Sequence, residues 1–489
     1  MSLRHLWAFL AVALPVLASL VASLPATDLA YHLRAGSEIL STGAIPSVDS
    51  WTFTANGQPW FDQQWGAQVF LDATYAATGW TGLAALRAAL VGVVFGIVFL
   101  LCIRQGVDER RAALLAFGAF VVAAPALALR PQLVAMVLFA ITLLLVVERR
   151  DHPRRLWLVP LLAIPWANVH GSFFLAPAVL GLAWLADVEA RVPDRHRVLI
   201  VAVVTAMACC VTPFGPWVWG YALGLGANPE VTRRIIEWQP TTLRDAQGIV
   251  FYASALLVVA YLARRSRPTP WATLLWLGFF FLIGAYAVRG IAWWPLAAVA
   301  AVAGLLEPAP TPATAPVEPR AFRILNGVIA AAITLGAIAL LPIWRPVDPG
   351  TGAPQGAVSY APSGITETLV AVAGDGDRIL NPQPWGSWFE FAAPDALMAI
   401  DSRIELFPAQ VWADYERVMA GVDGWEAILT DWGVTIAVVD AKNTGLHDRL
   451  TAAGWTEIYA DNDGAVLRSG EAGPSGRGST LTALLDSPR

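Results

Sequence analysis

Eleven apolar runs dominate this chain of 489 residues, near 6–25, 81–103, 112–128, 132–148, 156–169, 172–189, 197–216, 249–264, 270–288, 291–306 and 323–344. Runs of this kind approach the roughly 20 residues a helix needs to cross a hydrocarbon core. Inside that core no water satisfies backbone N–H and C=O groups, so a spanning segment of this type must be helical. Composition agrees: 56% of the residues are hydrophobic and 14% charged, whereas soluble domains carry roughly 25% charge. The chain reads as an α-helical polytopic membrane protein of about eleven transmembrane helices. Arg4, an apolar core and Ser23-Leu24-Pro25-Ala26 match the plan of a cleaved secretion signal. The apolar length of this first run favours a retained anchor, and either outcome leaves residue 28 on the outer face.

Arginine placement orients the spans. With the N-terminus inside, the inner loops at 104–111, 149–155, 190–197, 264–268 and 307–322, together with Arg4 and Arg323, hold 16 arginines. The outer segments and helix ends hold seven: Arg34, Arg87, Arg130, Arg233, Arg234, Arg244 and Arg289. Positive charge is retained on the cytoplasmic side of a membrane protein, so the expected topology is N-in and, with an odd number of spans, C-out.

A change in charge marks the end of the membrane domain. Residues 1–344 carry 23 Arg and 17 Asp plus Glu, whereas 345–470 carry 7 Lys plus Arg and 18 Asp plus Glu. The expected organisation is a transmembrane domain over 1–344, an extracytoplasmic domain over 345–470 and a disordered tail over 471–489. In the second domain, RILNPQPWGSWFEF and ALMAIDSRIELF read as strands or strand–turn units. WADYERVMAGVDGWEAIL and LHDRLTAAGW read as helices, VTIAVVD as a buried strand and EIYADNDGAVLRS as a hairpin. This alternation suggests a small α/β domain. Cys102, Cys209 and Cys210 all lie in apolar runs, so cysteines leave the compartment of the second domain open.

Two outer loops are long, at 26–80 and about 217–248. Such loops are functional or disordered, and their Trp and apolar content argues against disorder. In the first, Leu29, Leu33, Ile39 and Leu40 fall on one helical face, with His32, Arg34 and Glu38 away from it. This pattern predicts a helix lying in the outer interface, ended by Gly43 and Pro46. Arg34 and Glu38 are spaced to pair at i, i+4.

The orientation also gathers the ionisable residues of membrane edges on the outer side. Asp28 and His32 follow the first span, and Asp49 lies farther along the same loop. Arg130 (ALALRPQL), His170 (WANVHGSF), Glu237 (IIEWQP) and Arg289 (YAVRGIAWW) occupy other outer turns. Ionisable groups at membrane depth are costly and mark functional pathways. A carboxylate supplies a general base, and arginine matches phosphate oxygens with two parallel hydrogen bonds. The sequence carries no phosphate-binding glycine loop, zinc spacing, nucleophile elbow or nucleic-acid charge pattern.

With a first span followed by TDLAYHLRAGSEILSTGAIPSVDSWTFT, the chain resembles the GT-C superfamily of membrane glycosyltransferases that use polyprenyl-phosphate sugars. It is also similar to a bacterial branch with DxxYHLxxGxxI, GxIPxxDxWT, ALRPQ, WANVHGSF and IxEWxP segments followed by a small α/β domain. The resemblance implies that Asp28 is the catalytic base of an inverting transfer in the bacterial plasma membrane. It makes Asp49 a second carboxylate for metal or acceptor, and Arg130 or Arg289 the holder of phosphate. No Asp-Asp, Asp-x-Asp or Glu-x-Asp follows the first span, a departure that leaves a divalent metal cofactor open. Its partners would be a lipid-linked sugar and a glycan, lipid or protein acceptor.

Each position also has a structural reading. Asp28 or Thr27 can cap the following helix, although the resemblance favours Asp28 as base. His32 reads first as a neighbour packed beside Asp28. Asp49 can begin a turn, Arg130 can snorkel at a helix end and His170 can serve a tight inter-helix turn. Glu237 reads first as an i, i+4 partner of Arg233, and Asp401 with Arg403 as a structural pair. The alternative function is a non-catalytic envelope protein that binds or moves a lipid-linked glycan.

Overall fold

The computed structural model describes residues 1–307 and 319–470. The expected disordered tail from Glu471 and most of the expected inner loop at 307–322 lie outside the described residues. The chain divides into two compact units. One comprises Met1–Ser47, Pro59–Asp348 and Gly352–Ser359, and the other Val48–Gln58, Pro349–Thr351 and the chain from Tyr360 onward.

The first unit is helical. Helix α1 (Leu3–Val21) starts where the Ser2 side chain accepts a hydrogen bond from the His5 N–H, and α2 (Ala26–Thr42) follows almost at once. Helix α3 (Trp65–Arg104) is broken at Gly79, whose φ of 61° only a glycine adopts without strain. Next come α4 (Glu109–Ala123), α5 (Pro131–Val147), α6 (Leu158–Val169), α7 (Leu175–Glu189) and α8 (His196–Ala208). The second long loop contains two short helices, α9 (Trp217–Leu225) and α10 (Pro229–Arg234). Helices α11 (Ala246–Ala263), α12 (Trp271–Tyr286), α13 (Trp294–Ala303) and α14 (Arg320–Leu340) complete the unit. A helix overlaps each of the eleven apolar runs, and among the described residues six segments are long and apolar enough to cross a membrane by length and composition. A short parallel strand pair, β1 (Leu24–Pro25) with β2 (Val358–Ser359), holds the exit of α1.

Helix α2 shows how sequence becomes placement. Leu29, His32, Leu33, Gly36 and Ile39 recur at three- and four-residue steps and are all buried. His32 is therefore part of the buried stripe and not on the polar side expected for it, while Leu40 is exposed. Gly36 permits the burial, since a Cβ there would lie 2.3 Å from the Gln68 carbonyl oxygen and 2.6 Å from the Asp72 Cβ. Only a bare Cα lets α2 lie this close to α3. Gly43, in left-handed geometry, donates its N–H to the Ile39 carbonyl and closes the helix.

In the second unit, helices α15 (Ser363–Val372), α16 (Gln383–Ala392), α17 (Ala409–Ala420), α18 (Trp425–Trp432) and α19 (Thr444–Ala452) accompany a five-stranded sheet. Its strands are β3 (Arg378–Leu380), β4 (Leu397–Met398), β5 (Ile436–Asp440), β6 (Thr456–Ala460) and β7 (Gly464–Arg468), ordered β4-β3-β5-β7-β6. Strands β4, β3 and β5 run parallel, and the hairpin β6–β7 joins antiparallel to β5.

Two expected strand segments change. Only Arg378–Leu380 of the first is a strand; PQPWGSWFEF enters α16, where Pro384 fits the first helical turn. Trp385, Trp388 and Phe389 then bury one face at helical spacing. In IDSRIELF, the buried Asp401–Arg403 pair gives way to a short 3-10 turn over Ile404–Leu406. Residues Val48–Gln58, expected in the membrane domain, belong to the second unit. Trp51 and Phe53 exchange backbone hydrogen bonds with Met398 at 3.1 Å.

Candidate functional site

The site is built on helix ends of the first unit. Asp28 lies in the first turn of α2, whose N-cap is Pro25 with no side-chain capping bond. Its carboxylate reaches Arg130, with Oδ2 3.1 Å from Nη1. Arg130 precedes Pro131, which disfavours helical geometry in the residue before it. Arg130 is extended, at φ −140° and ψ 166°, and forms the N-cap of α5. The same Nη1 stands 2.7 Å from Glu237 Oε1. Glu237, in a 3-10 turn over Ile236–Trp238, thus pairs across 107 residues with Arg130, and not with Arg233 as its i, i+4 spacing suggested. Asp28 first, then Glu237, hold the Arg130 guanidinium above its ordinary pKa against the opposing effect of burial.

Arg289 arrives from the 3-10 turn Val288–Ala292 between α12 and α13. Its guanidinium lies over the Trp238 ring, 4.5 Å from the centroid. Its carbonyl accepts from Gln132 Nε2 at 3.2 Å, and Val288 N–H donates to the Gln239 carbonyl at 3.1 Å. These bonds tie the Glu237 loop to the Arg289 turn and to the start of α5. Arg130, Glu237, Arg289, Gln132 and Gln247 line a cavity of about 40 Å³. That is room for a water or two and not for a sugar.

Two buried imidazoles flank this charge cluster. Burial, with Arg130 adding to it, pushes His32 down to about 3, so the ring is neutral at physiological pH. Its Nδ1 is buried without a hydrogen-bond partner. His170 ends α6 in extended geometry. Burial lowers its pKa well below the ordinary value, with contributions from Arg289 and His32. Ser172 N–H donates to His170 Nδ1 at 3.1 Å, and Ser172 Oγ lies 2.8 Å from the same nitrogen while accepting from Trp166 Nε1 at 3.0 Å. Nδ1 is therefore an acceptor, and the proton of the neutral ring sits on Nε2.

The structure thus gathers Asp28, His32, Arg130, His170, Glu237 and Arg289 around one end of the helical unit. Asp49 belongs to the second unit, where its Oδ1 is 2.7 Å from Arg403 Nη2. Among the described residues no group of three His, Cys, Asp or Glu side chains is placed to hold a metal ion. Asp28 and Glu237 both turn on Arg130, and Asp49 on Arg403, so these carboxylates do not fit a divalent metal. Three polar or aromatic participants were not singled out from sequence: Gln132, Gln247 and Trp238. Gln132 lies two residues from Arg130 and Trp238 beside Glu237, but adjacency alone does not mark a site.

No protein-family model matches the chain, and no curated protein matches its sequence. Solved structures do match. The oligosaccharyltransferase of Archaeoglobus fulgidus in its apo form aligns with a TM-score of 0.55 at 15% identity, over 89% of this chain and 69% of that one. The same figures hold for AglB from that organism in complex with an inhibitory peptide and a dolichol-phosphate. A complex of the archaeal enzyme with Zn and sulfate aligns at 0.51, with 15% identity, over 90% of this chain and 68% of that one. The chain shares the GT-C fold. At this identity the likeness concerns fold alone. The cluster around Arg130 sits where α2, α5, the α6–α7 turn, the Glu237 loop and the α12–α13 turn converge.

Proposed function

We propose that this GT-C protein is a membrane glycosyltransferase that moves a sugar from a polyprenyl-phosphate donor to an extracytoplasmic acceptor. The observation that carries the reading is the 3.1 Å pairing of Asp28 with Arg130, with Arg289 lining the same cavity as Arg130. A base and two phosphate-matching cations thus share one site. The acceptor O–H gives its proton to Asp28, and the oxygen lone pair forms a bond to the anomeric carbon. The bond from that carbon to the phosphate oxygen breaks on the opposite face, with inversion. Its electron pair leaves with the lipid phosphate, whose charge Arg130 and Arg289 balance. Phosphate arriving at Arg130 competes with Asp28 for the guanidinium and frees the carboxylate to act as base. Neutral His32 and His170 surround the site without adding charge.

An apolar groove supports a lipid donor. It holds about 610 Å³ between α4, α11 and α13, lined by Leu114, Val121, Val250, Leu257 and Trp294 among others. Val250 is one helical turn from Gln247, which lines the charged cavity. The dolichol-phosphate and peptide held by the archaeal AglB favour the same two partner classes here: a lipid-linked donor and a glycan, lipid or protein acceptor. The arginine distribution supports a bacterial plasma-membrane, cell-envelope protein with the N-terminus cytoplasmic and the α/β unit extracytoplasmic.

Asp28→Asn tests the reading. Transfer from a polyprenyl-phosphate sugar is expected to fall at least 100-fold while the thermal unfolding midpoint stays near that of the native chain; full activity would remove Asp28 as base. The small cavity, with Asp28 already neutralised by Arg130, favours one second reading, a non-catalytic binder of lipid-linked glycan. That reading expects glycan binding that survives Asp28→Asn and no transfer by the native chain.

A further inference from the structure

A second charged cavity lies at the opposite end of the helical unit from Asp28. It holds about 500 Å³ and is lined by the C-terminal ends of α3, α5, α7 and α13 and by the start of α12. Arg104, Arg149 and Arg150 supply its cationic rim, and Leu143, Leu182 and Trp276 are among its apolar wall.

The charges of this rim do not cancel. Asp187 Oδ1 is 2.7 Å from both Arg149 Nη2 and Arg150 Nη2, and Glu148 takes Arg104 at 3.1 Å and Arg155 at 3.0 Å. Four arginines thus share two carboxylates. A third carboxylate, Glu189, also lines the cavity, but its oxygens accept the N–H groups of Trp271 and Ala272 at 2.9 and 3.0 Å. It is committed to the positive end of α12. Asp187 and Glu148 are nearly fully buried, whereas Arg104 and Arg150 are about half exposed. The carboxylates therefore act from below, leaving the cations facing outward. Gln105 fixes the cavity wall by donating to the Ala300 carbonyl at 3.2 Å.

We infer that this cavity binds the phosphate headgroup of an anionic glycerophospholipid, with the acyl chains lying along the apolar wall. Charge complementarity selects a phosphate-bearing ligand. The apolar wall below the rim selects one that carries hydrocarbon, because a free phosphate gains nothing from Leu143, Leu182 or Trp276. Basic pockets between membrane helices recognise such headgroups by the same combination. The site is independent of the proposed transfer reaction and lies at the cytoplasmic end in the orientation proposed above.

The test uses the full chain reconstituted in vesicles of phosphatidylcholine with spin-labelled phosphatidylglycerol or spin-labelled phosphatidylcholine as probes. The native chain is expected to prefer phosphatidylglycerol, and Arg104→Gln and Arg150→Gln are each expected to lower that preference about fivefold. Ala186→Phe, which intrudes on the cavity without altering charge, is expected to lower it as well, separating a built site from general surface charge. Inorganic phosphate, at ionic strength matched with chloride, is expected to leave the preference unchanged. No preference in the native chain, or a preference that survives all three substitutions, overturns the inference. Displacement of the lipid by inorganic phosphate also overturns it, in favour of a free-phosphate site.

Discussion

Arg130 serves two carboxylates from one nitrogen, with Nη1 3.1 Å from Asp28 Oδ2 and 2.7 Å from Glu237 Oε1. Three segments distant in sequence are held by one guanidinium, so removing it leaves two carboxylates facing each other without their cation. Arg130→Ala is expected to lower the stability of the detergent-solubilised chain by about 2 kcal/mol, because the partners are only partly buried. Asp28→Asn with Glu237→Gln in that background is expected to restore most of the loss. A thermal denaturation series reads both effects, and strictly additive losses would show that the three groups are not coupled.

The buried imidazoles make stability depend on pH in a defined direction. His32 titrates near 3 in the folded chain against 6.5 ordinarily. The unfolded state therefore takes up a proton below 6.5 that the folded state refuses. Its contribution is intact above pH 6.5 and is lost as pH falls from 6.5 toward 3, by about 1.4 kcal/mol per unit. His170, lowered likewise, steepens the fall. The unfolding midpoint is expected to drop between pH 6.5 and 5, before most carboxylates titrate, and His32→Gln to flatten that drop. An unchanged slope in the variant would exclude His32 as a source.

Gly36 sets the distance between α2 and α3. Even Gly36→Ala places a Cβ 2.3 Å from a backbone oxygen, which must move. The expected cost is about 1–3 kcal/mol, and transfer activity is expected to fall because Asp28 rides on the same helix. Gly118→Ala meets nothing within 4 Å and provides the control, with stability unchanged or raised. Equal behaviour of the two variants would argue against a tight α2–α3 contact.

Asp49 has a structural partner set in the second unit. Arg403 Nε donates to Asp401 Oδ2 at 2.7 Å, Nη2 lies 3.6 Å from Glu390 Oε1, and Trp51 stacks 4.2 Å from the guanidinium. Burial lowers the Arg403 pKa, but Asp401, Glu390 and Asp49 more than reverse this, so it stays charged. Asp49→Ala breaks a fully buried ion pair and is expected to destabilise the chain by about 3–5 kcal/mol. Denaturant unfolding measures the loss. A variant as stable as the native chain would return Asp49 to consideration as a functional carboxylate.

The sequence by itself determined where helices form. Apolar runs, Pro131 after Arg130 and Gly43 after Thr42 act through local hydrogen bonding and backbone sterics, so their effects are readable one segment at a time. It also marked Asp28, Arg130, Glu237 and Arg289 as ionisable residues in the outer turns beside apolar spans. Only the tertiary structure decided which of them meet. Glu237 had a plausible cation four residues away in Arg233, yet packing delivered Arg130 from α5. His32, expected on the polar face of α2, is buried on the same stripe as Gly36, which packs against α3. Asp49, twenty-one residues after Asp28 in the sequence, went to the second unit because Arg403 there offered a buried counter-charge. The same limit applies to PQPWGSWFEF: its run of aromatics suits a strand or a helix, and the face buried in the second unit chose the helix. Long-range ion pairs and shared faces depend on how rigid elements pack, and that information is not carried by neighbours along the chain.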